Sequence, residues 1–255
     1  MTAILEIHDL WKAYDGVQAL RGLNLDVKKG EIFGLIGPNG AGKTTTLKIV
    51  VGLLSMDKGT IKVDGRDIRE EPYEYKKLIG YVPEIVSLPE YLTLEEFLIY
   101  SGKIREIPND QIRERISFFL RAFELEDKRK SLILSLSRGM KQKAAMAAAL
   151  MHDPCLLILD ELVGIDPVGQ YRIKELFNER VKEGKTIFIS THVLDTAGRM
   201  CNRVAVIHNE RRIASGDLGS LRRISEEGGN ATLEEVFLKL TEEKAEEERG
   251  FFRYS

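Results

Sequence analysis

The stretch 32–52, IFGLIGPNGAGKTTTLKIVVG, decides the fold. Ile32 to Ile36 form an apolar run that Gly37, Gly40 and Gly42 break, and Lys43, Thr44 and Thr45 then lead into a helical pattern at Leu47, Ile49 and Val50. The order is strand, glycine loop, helix. Gly37 to Thr44 fits G-x-x-x-x-G-K-[ST], the pattern of a phosphate-binding loop. A triphosphate is best held by several backbone N–H groups at once, and glycine lets the chain curl tightly enough to aim them. The following helix turns the positive end of its dipole toward the phosphates. On this reading Gly37, Pro38, Asn39, Gly40, Ala41 and Gly42 belong to the cradle. Lys43 reaches the β- and γ-phosphates, and the Thr44 hydroxyl ligates Mg²⁺.

The rest of the composition is that of an ordinary globular chain. Its 255 residues, 43% hydrophobic and 31% charged, suit one domain with room for an inserted lobe. With 38 basic and 40 acidic residues the formal charge is -2, so no overall electrostatic footprint points to nucleic acid. No apolar stretch is long enough to span a bilayer, and the first ten residues lack the regions of a signal peptide; a cytoplasmic protein is expected. Cys155 and Cys201 make no disulfide framework, and the four histidines have no zinc-like spacing.

Before the loop, three β-like stretches lie within residues 4–36, joined at Asp15-Gly16 and Lys29-Gly30. Such close turns predict antiparallel pairing, and hence a small β lobe preceding the loop. Gly59 to Val63 and Ile79 to Val82 read as short strands. From about residue 89 to 151 the β signals vanish. Thr93 with Glu96 three residues on predicts a capped helix, and two further amphipathic patterns run from Asp110 to Phe123 and from Gly139 to Met151. Cys155 then opens an apolar run ending in Asp160-Glu161, as a strand buried on both faces would. A helix from Pro167 to Lys182 and strands at Thr186 to Ser190 and Val204 to Ile207 continue the alternation. Beyond Gly216 a short amphipathic helix is expected over 231–241, followed by a solvated acidic end at 242–249. The predicted fold is α/β: a phosphate-loop NTPase core with a mainly parallel sheet and flanking helices, an N-terminal antiparallel β lobe and an inserted helical lobe.

A carboxylate at the tip of a strand beside the phosphate loop, here Asp160, can hold Mg²⁺ next to Thr44. Glu161, the next residue, is placed to polarise an attacking water. Leu136 to Lys143, LSRGMKQK, resembles the signature motif of ATP-binding-cassette (ABC) proteins, L-S-G-G-Q, in its exporter-type variant S-[KR]-G-M-K-Q. Ser137 and Gly139 match it. A Ser hydroxyl and a Gly amide at a helix N-terminus together make an anion site.

The resemblance covers about Ile4 to Leu240. It implies ATP and Mg²⁺ as ligands, adenine stacking on Tyr14, a phosphate loop from Gly37 to Thr45, Walker B at Leu156 to Asp160, catalytic Glu161, and a switch histidine at His192 that helps hold Glu161 and water in line. It also implies a nucleotide-sandwich homodimer, or a pair with a second ABC ATPase subunit, in which Ser137 and Gly139 face the γ-phosphate held by the partner. An ATP-binding domain over 4–222, with its helical lobe at about 85–151, and a C-terminal extension over 223–255 are the expected divisions. Energy would pass to an integral membrane permease whose cytosolic helix docks near Glu84 and residues 85–100, placing the chain at the inner face of the membrane. The implied activity is ATP hydrolysis driving an exporter; a soluble ABC ATPase of assembly or repair, such as an iron–sulfur cluster scaffold, is the alternative. Two positions depart from the common pattern. Glu84 stands where most members have a metal-ligating Gln, and ELVGIDP after Asp160 is one residue shorter than E-P-T-S-G-L-D-P.

Overall fold

The computed structural model describes residues 2–162, 164–217, 219–221 and 232–241. The chain opens with β1 (Ala3–Tyr14) and β2 (Val17–Lys28), an antiparallel pair closed at Tyr14 and Val17. Asp15 and Gly16 both have positive φ, 48° and 84°, the turn whose twist matches that of the flanking strands. β4 (Lys58–Val63) and β5 (Arg66–Asp67) complete this sheet in the order β2-β1-β4-β5. The expected β lobe is therefore present, but half of its strands come after the phosphate loop.

The expectation that the Lys29-Gly30 turn would pair its flanking strands is corrected. β3 (Ile32–Ile36) does not join β2; it lies parallel between β8 (Thr186–Thr191) and β9 (Arg203–His208). The physical reason is burial. β2 alternates buried Leu23, Leu25 and Val27 with exposed neighbours, whereas all five residues of β3 are buried, so β3 needs cover on both faces. The turn itself is tied to the second sheet, with Gly30 N–H donating to the Thr186 hydroxyl at 3.0 Å.

That second sheet has the order β10-β9-β3-β8-β7-β6, where β6 is Ile79–Val82, β7 is Leu156–Asp160 and β10 is Arg211–Gly216. All neighbours are parallel except β10, which runs antiparallel along β9. Alternate residues feed opposite cores. Ile32, Leu157, Leu159, Ile187 and Ile189 face the helical lobe, and Phe33, Leu35, Leu156, Ile158 and Phe188 face the first sheet. Phe33 and Phe188 meet edge to face with centroids 5.6 Å apart.

Helices α1 (Lys43–Val50), α2 (Glu74–Lys77), α3 (Leu94–Ile104), α4 (Asn109–Ala122), α5 (Arg138–Leu150), α6 (Pro167–Lys182) and α7 (Leu194–Met200) flank the strands. The helical lobe is α3, α4 and α5. Thr93 and Glu96 form the predicted reciprocal cap on α3, and Asp166 caps α6 ahead of Pro167 at its first turn. Residues 233–241 are helical and bury Leu233, Val236 and Leu240 in a cluster with β9 and α7. The expected acidic end at 242–249 lies outside the described residues. Among the described residues no helix is long and apolar enough to cross a membrane.

The last turn of α5 crosses β6 at Gly80, where a Cβ would stand 2.4 Å from the Ala149 carbonyl oxygen and 3.1 Å from Leu157 Cδ1. A backbone carbonyl in a packed helix cannot yield cheaply. Gly80→Ala is expected to cost about 2 kcal/mol, lowering the melting temperature by about 5 °C for a chain of this size. An unchanged thermal melt would mean that α5 does not rest on β6 at this point.

Candidate functional site

The phosphate loop is wedged between strands of both sheets. A Cβ at Gly37 would lie 2.2 Å from the Ile207 carbonyl of β9, and one at Gly42 2.5 Å from the Ala19 carbonyl of β2. Gly42 also has φ 101° and precedes the first turn of α1, so the residue that lets the loop curl is the one that starts the helix. Lys43 is buried, and its Nζ donates to the carbonyls of Gly37 at 2.8 Å and Pro38 at 2.9 Å. Burial lowers its pKa, while the negative charges of Glu161, Asp160 and Glu84 oppose that shift.

These three carboxylates define the side of the site facing Lys43. Asp160, at the end of β7, is 1% exposed and accepts a hydrogen bond from the Thr44 hydroxyl at 3.1 Å. Burial pushes its pKa up, and the charges of Glu84 and Glu161 push the same way, while the Thr44 bond opposes them. Glu84, exposed just beyond β6, is near enough to act on both Asp160 and Lys43. The donor set consists of hard oxygens, as Mg²⁺ prefers. Among the described residues no three His, Cys, Asp or Glu side chains form a metal cage.

Glu161 leaves the sheet abruptly. Its N–H still donates to Ser190 O at 3.0 Å, but its φ is +69°, a left-handed posture that disfavours a residue with a Cβ. The carboxylate is gripped by β8's exit: Oε1 accepts from the His192 backbone N–H at 2.7 Å and lies 3.0 Å from His192 Nδ1. The sequence expectation that His192 helps hold Glu161 therefore has a geometry, and the main chain adds a second hold that residue type alone could not reveal.

Ser137 and Gly139 sit at the N-terminus of α5, with the Ser137 hydroxyl accepting from Met140 N–H at 3.3 Å. Among the hydrogen bonds of the described residues none joins them to the phosphate loop of the same chain. Their neighbour is instead the short loop after Glu161: a Cβ at Gly139 would stand 2.4 Å from the Gly164 carbonyl. One turn further along, Gln142 is 3% exposed and its Nε2 donates to the Glu161 carbonyl at 3.3 Å. Sequence reasoning missed Gln142. The available signal was a polar residue sharing the helical face of Ala145, Met146 and Ala149, all of which are buried.

Tyr14 stands at the partly exposed end of β1, 42% exposed, with the Lys12 ammonium 5.5 Å from its ring centroid. The hairpin that carries it abuts the loop at Ala19 and Leu20, which crowd Gly42. Thr45 is the third residue of α1, directly after Thr44.

The raised pKa of Asp160 has a consequence for stability. A carboxyl whose folded pKa exceeds its unfolded one destabilises the fold once ionised, and that loss develops as pH rises through the unfolded value of about 3.9 and is complete above the folded one. At neutral pH Asp160→Asn should therefore raise the melting temperature of the nucleotide-free protein, by about 2–4 °C for each kcal/mol relieved, while abolishing Mg²⁺-dependent hydrolysis. A lower melting temperature would show that the Asp160 charge is compensated.

A family profile described as "ABC transporter" matches residues 20–164, more than half of the chain. The ABC-type transporter ATP-binding protein EcsA of Bacillus subtilis is 35% identical over 246 residues, which cover 95% of this chain and 98% of that one. The Nod factor export ATP-binding protein I of Cupriavidus metallidurans is 37% identical over 85% of this chain and 72% of its own. Among solved structures, one described as the ATP-binding subunit of an ABC transporter superposes with a TM-score of 0.87 at 36% identity, over 93% of this chain and 99% of that one. The chain belongs to the ABC transporter family, among its ATP-binding, ATP-hydrolysing proteins.

Proposed function

We propose that this ATPase binds Mg-ATP at Gly37 to Thr45, hydrolyses it with Glu161 as the base that polarises water, and thereby powers export through an integral membrane permease. The observation that carries the reading is the posture of Glu161. Its carboxylate is held by His192 within electrostatic reach of Lys43 and Asp160, so one small volume contains a cation for phosphates, hard oxygens for a metal and a fixed base. Thr44, Asp160 and Glu84 are the residues that would hold Mg²⁺, whose charge when bound would offset that of the phosphate oxygens. Tyr14 would carry the adenine, and the Lys12 ammonium on one face leaves the other for the base.

The active form in this reading is a pair of ATPase subunits, two copies of this chain or this chain with a second ABC ATPase, each offering Ser137 and Gly139 to the nucleotide of the other. The ATP-binding domain spans 4–222, with the helical lobe at about 85–151 inserted in it, and 223–255 is an extension. Docking of the permease is assigned to a cleft of about 440 Å³ between β6 and α3, lined by Leu53, Tyr81, Val86, Phe97, Ile104 and Arg105. Support comes from the exposed apolar groups around it, Ile85 at 79%, Leu53 at 63% and Ile104 at 61%, which suit the apolar face of a short helix. The chain would then lie at the inner face of the membrane, held by its partner. The export activity in the name of the Nod factor relative supports the direction of transport.

Lys43→Ala removes the cation aimed into the loop, and a calorimetric titration should show ATP affinity reduced by at least about tenfold, the effect of losing one charge-assisted contact of about 1.5 kcal/mol or more. Unchanged affinity would remove the loop from the site. Glu161→Gln should keep ATP binding and slow hydrolysis by about a hundredfold or more, as loss of a general base does. The uncleaved nucleotide should then hold subunits together, and light scattering of this variant with Mg-ATP that reports only monomer would overturn the paired form.

A further inference from the structure

Gln142 is a buried amide on the inner face of α5, beside Ala145, Met146 and Ala149, and among the described residues its side chain donates to the carbonyl of Glu161, the base of the proposed reaction. We propose that Gln142 is a positioning residue for Glu161: it fixes the backbone of the catalytic carboxylate and couples that backbone to the signature helix α5. The proposal rests on Glu161 being the hydrolytic base.

Three observations converge on this. First, Glu161 is strained as a non-glycine residue at φ +69°, and such a posture persists only where its surroundings hold it. Its N–H is fixed by Ser190 O and its carboxylate by His192, which leaves the carbonyl as the third point needed to define where the residue lies. Gln142 supplies that point from a 3% exposed position, in a core where an unpaired amide would itself be costly. Second, the contact is not isolated. Gly139, one turn before Gln142, admits the Gly164 carbonyl to a distance that any side chain would forbid, and the Arg138 stem would meet a Cβ at Gly164 within 3.6 Å. The carbonyls of both Glu161 and Gly164 thus meet the same side of α5's first two turns. Third, the sequence between Glu161 and Asp166 is short, and Asp166 is already committed to capping α6 through Gly169 N–H at 2.9 Å. A short segment pinned at Asp166 has little slack, so a shift of α5 must move the Glu161 backbone.

The mechanical consequence is that α5 cannot tilt or slide without re-aiming the base. His192 then orients the head of Glu161, and Gln142 orients its root. Loss of the Gln142 contact should leave ATP binding intact and misplace only the base, and a misplacement of about 1 Å can cost on the order of 100-fold in rate.

Gln142→Met keeps the length and volume of the side chain but donates no hydrogen bond; Gln142→Asn keeps an amide that falls short of the Glu161 carbonyl. In the full chain with Mg-ATP, each variant should lower kcat by about 10-fold to 100-fold while KM and calorimetric ATP affinity stay within about twofold. In a Glu161→Gln background the same substitutions should leave the residual rate, followed with radiolabelled ATP, within about twofold, because the group they position is gone. A merely structural role would lower the rate by the same factor in both backgrounds and raise KM with it, and that result would overturn the proposal. So would an unchanged kcat in both variants, alongside a Glu161→Gln enzyme that is slow as expected. If Glu161→Gln alone hydrolyses ATP at the parent rate, the assignment of the base fails and this proposal falls with it. Should Gln142→Met not fold, Gln142→Asn carries the same comparison.

Discussion

A nearly inaccessible carboxylate governs the architecture. Taking the charge of Asp160 out of water carries a penalty of several kcal/mol, which the hydroxyl of Thr44 in α1 offsets in part. The parallel register aligns Asp160 of β7 with Ser190 of β8, and Ile36 of β3 with Thr191, so the strands end together at one edge of the sheet. Chain that leaves this edge carries Thr44 and Lys43 in one direction and His192 in the other. Apolar packing on both faces of these strands keeps water away, which strengthens each attraction among the charged groups as well as the cost of Asp160 itself. Burial raises the pKa of Asp160, so the cost of its charge falls at the same edge that carries the candidate site.

Much of this organisation was legible in the sequence because it follows from local rules. The glycine loop between an apolar run and a helix, the reciprocal cap at Thr93 and Glu96, Asp166-Pro167 ahead of α6 and the uninterrupted apolarity of Leu156 to Leu159 each fix a conformation through neighbours a few residues away. What escaped was decided at a distance. The exchange of β3 from its sequence neighbour to β8 and β9 depends on partners more than 150 residues further on, which no turn signal at Lys29-Gly30 can announce. β10 was missed because RRIASG is an edge strand with only Ala214 buried, and α2 because a single turn that buries only Tyr75 leaves no periodicity to detect.

The site shows the same division. Residue types singled out the groups that the structure brings together, since a phosphate loop, an acidic pair after a strand and a histidine after the next strand each answer to a specific chemical need. Posture was not legible. Neither the left-handed turn of Glu161 nor its double contact with His192 is written in the dipeptide Asp160-Glu161, because both arise from where β8 ends. Gln142 was hidden for a related reason: it lies on the alanine-rich helix as any helix-forming residue would, and its importance comes from the carbonyl it happens to face.

The crowding at Gly37 and Gly42 sets where the phosphate loop can tolerate a change of residue. On one flank the Ile207 carbonyl, and on the other Ala19 and Leu20, stand so close to Gly37 and Gly42 that neither end of the loop has room for a side chain. The crown differs, for a Cβ at Gly40 would meet nothing within 4 Å. The loop is therefore closed to side chains at both feet, where they would run into the main chain of β9 and β2, and open at its crest, where only the positive φ of Gly40, 83°, stands against one.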